Sequence, residues 1–375
     1  MAFWIVYSAI ATLCIILTGL PLVGYCDCAE WIKTAVYIFL FIAWFSPILI
    51  WNWQIKRNIP LKLYFVIAKI GYFLEGFAFL LMMVLLIRDA LWWFVYYFSN
   101  GWLIISPLKD NIVADVNLIT VVAVFIVSLY GVYVAEKLPQ VSRYVFADER
   151  IKKPLKILVA ADLHITKMTS VNKVKSWVKF FNELKPDAVL FSGDVADDMV
   201  VNIRKQIKEL KKIRAPLGIY YVLGNHETYF NPYAWEAEFA SQGWLVLHNS
   251  GAGIENTGVY VAGLPDDRAF NVNIGQSVQK AKDEYIILLS HTPNVLKKIE
   301  NDKIDLMVCG HTHGGQIFPF NLLTKLGNSG MVSGLYEKEY TKVLISRGVG
   351  YWGPPMRIGA PSDVILLELE PKTQK

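Results

Sequence analysis

Five of the chain's six histidines fall within a series of short motifs that also carry carboxylates and one amide. In order these are Asp162-Leu163-His164, Gly193-Asp194, Gly224-Asn225-His226-Glu227, Ser290-His291 and Gly310-His311-Thr312-His313. Carboxylate and amide oxygens combined with imidazole nitrogens suit divalent first-row transition metals rather than a thiolate site. Two such ions about 3.5–4 Å apart lower the pKa of a shared water, giving hydroxide near neutral pH, and clamp phosphate oxygens during in-line attack on phosphorus. The residue types therefore point to phosphoester cleavage.

Chemistry of this kind needs scattered residues brought to one place. Leu155–Ala161 is a continuous apolar run that ends at Asp162. Such runs fit strands buried on both faces. Ala188–Ser192 leads to Asp194, Ile219–Leu223 to Asn225 and His226, Tyr285–Leu289 to His291, and Ile304–Cys309 to His311 and His313. Further strands are expected at Lys342–Ser346 and Asp363–Glu368. Val171–Leu184 and Val201–Ile213 alternate apolar and charged residues at helical spacing, with Lys173, Lys175 and Lys179 on the outer side. Strand and helix alternating in this way imply an α/β domain, and ligands of such sheets bind beyond the carboxyl ends of the strands. All five motifs are expected there.

The ordered set of motifs resembles the calcineurin-like metallophosphoesterase superfamily over roughly Lys156–Leu369. Gly310–Gln316 (G-H-T-H-G-G-Q), Gly334–Tyr336, Ser346–Gly348 and Pro355–Arg357 sharpen the resemblance toward a membrane-anchored bacterial branch described as YkuE-like. That branch includes hydrolases of UDP-2,3-diacylglucosamine. The resemblance implies a layered α/β/β/α sandwich and two divalent cations of the Mn, Fe or Zn type. It implies that Asp162, His164 and His313 hold the first ion, that Asp194 bridges both, and that Asn225, His291 and His311 complete the second. It implies that His226 protonates the leaving oxygen or stabilises the transition state. Asp197 and Asp198 are candidates to orient the ligand imidazoles, and Arg347 is a candidate phosphate contact. His248 lies outside every motif and reads as a surface histidine. Protein serine/threonine phosphatases of this superfamily continue G-D-x-V-D-R-G. Gly193 is followed here by D-V-A-D-D, which speaks against that branch.

The remainder of the chain is of another character. Of 375 residues, 54% are hydrophobic and only 18% charged, below the roughly 25% of soluble domains. The deficit is concentrated in residues 1–135. Four stretches there are long enough to span a bilayer, at about 20 apolar residues each: Phe3–Tyr25, Ile32–Trp53, Leu63–Ile87 and Leu118–Ala135. Trp4, Trp31, Trp51, Trp53 and Tyr133 stand at their ends, as interfacial aromatics do. Leu91–Leu108, interrupted by Asn100, Gly101 and Pro107, reads as an interfacial or re-entrant piece. The organisation expected is a transmembrane domain over 1–136, a juxtamembrane linker over 137–154, a metallophosphoesterase domain over 155–370 and a short tail.

Lys56, Arg57 and Lys62 make the loop between the second and third spans basic, and Arg88 and Lys109 precede the fourth. The positive-inside bias places that basic loop, the N-terminus and the catalytic domain in the cytoplasm. The expected setting is a multi-pass protein of a bacterial cytoplasmic membrane. The start Met-Ala-Phe-Trp has no basic residues and no following cleavage site, so a cleaved signal peptide is not expected. Cys14, Cys26, Cys28 and Cys309 form no zinc-type pair and read as free thiols. The net charge of +5 is modest, and no basic stripe calls for nucleic acid.

An enzyme tied to a membrane suggests a substrate found there. The expected substrate is a phosphate or pyrophosphate ester with an acyl or isoprenoid tail. Ile317, Phe318, Pro319, Phe320, Leu322 and Leu323 follow the last metal motif directly and could dip toward lipid headgroups, with Tyr351, Trp352, Pro354 and Pro355 as a second contact. Glu75, six residues after Lys69 within the third span, supports an alternative in which the membrane half senses or transports and the hydrolase is its output.

Overall fold

The computed structural model describes residues 2–24, 28–56, 60–99, 110–299, 304–338 and 341–372. Two compact units emerge. One comprises Met1–Ala135 and Trp352–Ile358; the other comprises Glu136–Tyr351 and Gly359–Lys375.

The first unit is built from α1 (Ala2–Gly19, extended by a π turn over Leu20–Gly24), α2 (Glu30–Lys56), α3 (Leu61–Phe98) and α4 (Asp110–Glu136). All four are long and apolar enough to cross a membrane. Helices apolar on every side are stable only where lipid or protein surrounds them. Small residues Ala11, Ala43 and Ala78 let α1, α2 and α3 approach, and Cys14, Leu40, Trp44 and Met82 fill the seam. Ile10, Leu13, Ile42, Ile119 and Ile126 face outward and are exposed.

Three expectations change here. Leu91–Phe98 is not a separate piece, because α3 continues through it without a break. The stretch contains no Pro or Gly to stop a helix, and the breakers proposed at Asn100, Gly101 and Pro107 lie outside the described residues. Arg88 is not in a loop. It sits inside α3, where its guanidinium pairs with Asp89 at 2.6 Å and donates to Asn117 Oδ1 at 2.7 Å on α4. Pro354 and Met356 pack onto Gly76 of α3, and the Arg357 N–H donates to the Gly131 carbonyl of α4 at 3.0 Å. The second apolar loop is thus built into the helical unit, with Trp352 still exposed. Glu75 has a local partner, since the Tyr7 hydroxyl lies 3.1 Å from its Oε1. Lys56 and Arg57 of the basic loop, Lys109 and Cys26 have side chains outside the described set.

The second unit runs β1 (Gln140–Asp148), β2 (Leu155–Ala160), α5 (Val171–Glu183), β3 (Ala188–Ser192), α6 (Val200–Leu210), β4 (Ile219–Val222), α7 (Asn225–Tyr229), α8 (Pro232–Ser241), β5 (Leu245–Val246), β6 (Ser250–Ile254), β7 (Val259–Gly263), α9 (Ile274–Val278), β8 (Tyr285–Leu289), β9 (Leu306–Cys309), α10 (Phe320–Gly327), β10 (Gly334–Lys338), β11 (Thr341–Ile345) and β12 (Asp363–Pro371). One sheet has the order β1-β12-β2-β3-β4-β5 and the other β10-β11-β9-β8-β7-β6. β2, β3 and β4 pair in parallel, as do β7, β8 and β9.

The period-two alternation of each strand explains the layering. Ile157 and Val159 of β2 meet Val261, Ile287, Leu306 and Val308 between the two sheets. Leu158 and Ala160 point the opposite way, onto Val174, Trp177 and Phe181 of α5 and Ile203 and Ile207 of α6. Ala262, Leu288, Met307 and Cys309 form a third apolar layer outside the second sheet, against Ile274 and Val295. The result is the expected α/β/β/α sandwich. The segment 137–154, read as a linker, holds β1, which pairs in parallel with β12 over its whole length.

Candidate metal centre

Each motif stands where a buried strand stops. Asp162 and His164 follow β2, Asp194 follows β3, Asn225 and His226 open α7 after β4, His291 follows β8, and His311 and His313 follow β9. The backbone there is forced into an unusual region. Asp162, His164, Asp194, His311 and His313 have φ of 54°, 43°, 51°, 71° and 51°. Side-chain-bearing residues rarely adopt such values, and each costs ~1–3 kcal/mol. The turns are secured by bonds between loops: Asp162 N–H to the Gly193 carbonyl (3.1 Å) and His164 N–H to the Asp194 carbonyl (3.0 Å). Gly224 is required for closeness rather than for φ, because a Cβ there would fall on Asp194 Oδ1.

The side chains converge in three overlapping groups whose donor atoms lie within 4.8 Å of one another: Asp162, His164 and His313; Asp194, His291 and His311; and His164, Asp194 and His226. Asp194 joins them. Its Oδ2 lies 3.1 Å from His291 Nε2, 3.6 Å from His164 Nε2 and 4.0 Å from His226 Nε2, while its Oδ1 accepts the His226 N–H at 2.9 Å. Asn225 Oδ1 comes within 3.1 Å of His291 Nε2. Both oxygens of Asp162 accept the His311 N–H at 3.0 Å.

Outer partners set which imidazole nitrogen is free. His291 Nδ1 donates to the Ser192 carbonyl at 2.8 Å, which leaves Nε2 facing Asp194 and Asn225. His164 Nδ1 donates to Asp197 at 3.3 Å, which leaves Nε2 facing His313 Nε2 at 3.0 Å. His311 Nδ1 is 3.2 Å from His291 Nε2. The facing nitrogens of His164 and His313, and of His291 and His311, stand 3.0 and 3.2 Å apart, close enough to share a proton or a cation. With metal–nitrogen bonds of about 2.1 Å, such pairs subtend roughly 90–100° at a common ion. The residues present therefore fit divalent cations in two adjoining groups.

Burial opposes charging of His226 and His291, yet the facing carboxylates outweigh it, raising His226 to about 9 and His291 to about 10. Burial pushes Asp162 up to about 6. Burial, His291 and Arg268 together hold His311 well below the usual histidine value. Shifts of this size are typical of functional sites.

Asp197 reaches two imidazoles, His164 as above and His226 Nδ1 at 2.8 Å. Asp198 reaches neither. Its carboxylate accepts from the Met199 N–H and Asn202 and so starts α6. Arg347 is bonded to Asp363 at 3.2 Å and to Gln140 at 3.4 Å, with its stem against Gly314 of the metal loop. His248 stands apart, 2.7 Å from Glu236 and edge-on to Phe270.

Three residues escaped the sequence reading. Glu227, the last residue of G-N-H-E, accepts the N–H groups of Asp194, Ala196 and Gly224 and so ties two metal loops together. Arg268 Nη2 lies 2.9 Å from His311 Nε2. Asp266 is 2% exposed, and its carboxylate has no hydrogen-bond partner among the described residues. Asp266 and Arg268 follow β7 in the run G-L-P-D-D-R, a strand end like the others but without a histidine to mark it.

A family profile described as calcineurin-like phosphoesterase matches residues 155–315. An uncharacterized metallophosphoesterase of Helicobacter pylori is 32% identical over 250 residues, covering 65% of this chain and 67% of the relative. A transmembrane protein with metallophosphoesterase domain from Danio rerio is 32% identical over 265 residues, 65% of this chain and 60% of the relative. The metallophosphoesterase YkuE of Bacillus subtilis is 27% identical over 225 residues, 57% and 79% respectively. The matched stretch carries the strand ends that bear the converging donors, and with these relatives it establishes that the chain belongs to the calcineurin-like metallophosphoesterase family.

Proposed function

We propose that this chain is a membrane-embedded two-metal hydrolase acting on a lipid-linked phosphate or pyrophosphate. The observation that carries the reading is the position of Asp194, whose Oδ2 lies 3.1 Å from His291 Nε2 and 3.6 Å from His164 Nε2, between the two donor groups. Asp162, His164 and His313 would hold one cation and Asn225, His291 and His311 the other, with Asp194 shared. When bound, divalent ions of the Mn, Fe or Zn type supply Lewis acidity toward phosphate oxygens and lower the pKa of a water.

The chain's own groups do the rest. Asp197 holds His226 Nδ1, so the second nitrogen, Nε2, faces the Asp194 side and carries the mobile proton. The Asp197 and Asp194 carboxylates outweigh burial and raise the His226 pKa, which favours the protonated form that can deliver a proton to a leaving oxygen. Arg268, at the open side of His311, is available to a phosphate oxygen, since its guanidinium only donates. The orientation that fits the lysine and arginine bias puts the catalytic unit on the cytoplasmic face of a bacterial membrane.

The lipid part of the reading rests on the four apolar helices, which a water-soluble substrate does not require. It is tested by comparing kcat/KM for a lipid-linked diphosphate in mixed micelles with that for its soluble headgroup analogue. The lipid form should be preferred about tenfold or more, the effect of burying two methylene groups at ~0.8 kcal/mol each. Equal values would overturn the lipid assignment and leave the hydrolase assignment standing.

A further inference from the structure

The helix after the metal loop is inside out. Leu322, Leu323 and Leu326 of α10 are 59%, 58% and 81% exposed, and Phe318 and Phe320 beside them are 53% and 43% exposed. No residue of α10 is buried. A surface helix of a soluble domain turns its apolar stripe inward; here the polar side faces the protein. A Cβ on Gly315 would fall on the Asn321 backbone, so α10 sits directly on the loop that carries His311 and His313. Asn328 Nδ2 donates back to the Thr324 carbonyl and closes the helix on its inner side. Contiguous exposed apolar residues of this size mark an interaction surface.

The chain itself indicates what covers it. The last apolar helix, α4, ends at Glu136. Only residues 137–139 separate α4 from β1, a reach of at most ~3.5 Å per residue. The first residue of β1, Gln140, bonds Arg347, whose stem lies against Gly314 of the same metal loop. Ile317, at the foot of α10, bridges to Gly359, the first residue after the segment that belongs with the apolar helices. The chain thus passes between this unit and the apolar helical unit at two points of the backbone near the metal loop. Lys325, in the last turn of α10, is exposed, as a basic residue at a headgroup level would be.

We propose that Phe318, Phe320, Leu322, Leu323 and Leu326 form a bilayer-docking element, with α10 lying in the plane of the membrane interface at the rim of the metal site. It rests on the membrane reading above but on no particular substrate. The docked helix would let a lipid-borne phosphoester pass sideways into the site without leaving the bilayer.

The test uses the full chain in vesicles of phosphatidylcholine and phosphatidylglycerol, with Leu326→Cys carrying an environment-sensitive fluorophore. Wild-type chain taken through the same labelling supplies the background of Cys14, Cys26, Cys28 and Cys309. Val201→Cys, exposed on α6, is the reference position. Emission at position 326 should shift to the blue and be mostly lost when lipids bear a nitroxide high on the acyl chain, while position 201 is unaffected. Water-like, unquenched emission at 326 would overturn the proposal. So would blue-shifted emission indifferent to nitroxide, which would mean a second copy covers α10, or equal quenching at both positions. Quenching at 326 together with no preference for a lipid-linked substrate would leave the docking element in place and remove only the substrate assignment.

Discussion

Asp197 takes the Nδ1 atoms of both His164 and His226, and the two histidines part in their reach toward Asp194. His226 also stands in a possible donor group with His164 and Asp194, so geometry admits it as a ligand. Distance favours an acid instead: its Nε2 lies 4.0 Å from Asp194 Oδ2, against 3.6 Å for His164 and 3.1 Å for His291. A His226→Gln enzyme should therefore keep its bound metal and lose about 10²–10⁴ in kcat. The loss should be smaller for a leaving group that departs without protonation, such as a nitrophenolate. Loss of metal along with activity would make His226 a ligand. The converging donors were readable, because carboxylate, amide and imidazole recur at the ends of apolar runs. Asp266 and Arg268 were not readable, since their strand end lacks histidine. Nor could sequence decide between Asp197 and Asp198, whose side chains diverge only once the backbone turns into α6.

At the scale of elements, Arg150 shows how the two sheets are pinned. Its guanidinium bonds both oxygens of Asp148 at the end of β1 (2.7 and 2.9 Å), Asp305 before β9 (2.6 Å) and the Glu284 carbonyl before β8 (3.1 Å). The Arg150 hydrogen bonds hold the Asp148 carboxyl below its usual range. A carboxylate depressed in the folded state stabilises fully above its unfolded value of ~3.9 and loses that contribution as pH falls through the folded value. Arg150→Met should thus lower stability by ~1–2 kcal/mol near neutral pH, with the gap to wild type narrowing below about pH 4. Thermal melts in detergent across that range are the check; a gap that widens in acid would contradict the assignment. β1 itself was hidden in sequence. Arg143, Arg150, Lys152 and Lys153 give its surroundings the look of a basic juxtamembrane stretch, and only its pairing with β12, more than 200 residues later, makes it a strand. The continuous α3 was hidden for the opposite reason: Arg88 and Asp89 look like a loop until they pair with each other and with α4.

For the whole molecule, the division between a sparsely charged first third and an ordinary α/β remainder was plain from composition. The sandwich followed from the apolar runs of β3, β7, β8 and β9 and the nearly apolar β2. What composition cannot carry is the meeting of seven side chains from five strand ends, which depends on parallel pairing between distant segments. That meeting is the central claim, and metal content tests it most directly. Purified wild-type protein should hold about two divalent ions per chain, chelation should abolish hydrolysis and lower the melting temperature, and Asp194→Asn should fail to retain the pair. A wild-type enzyme that hydrolyses phosphoesters while free of metal, or an Asp194→Asn variant that keeps both ions and full activity, would contradict it.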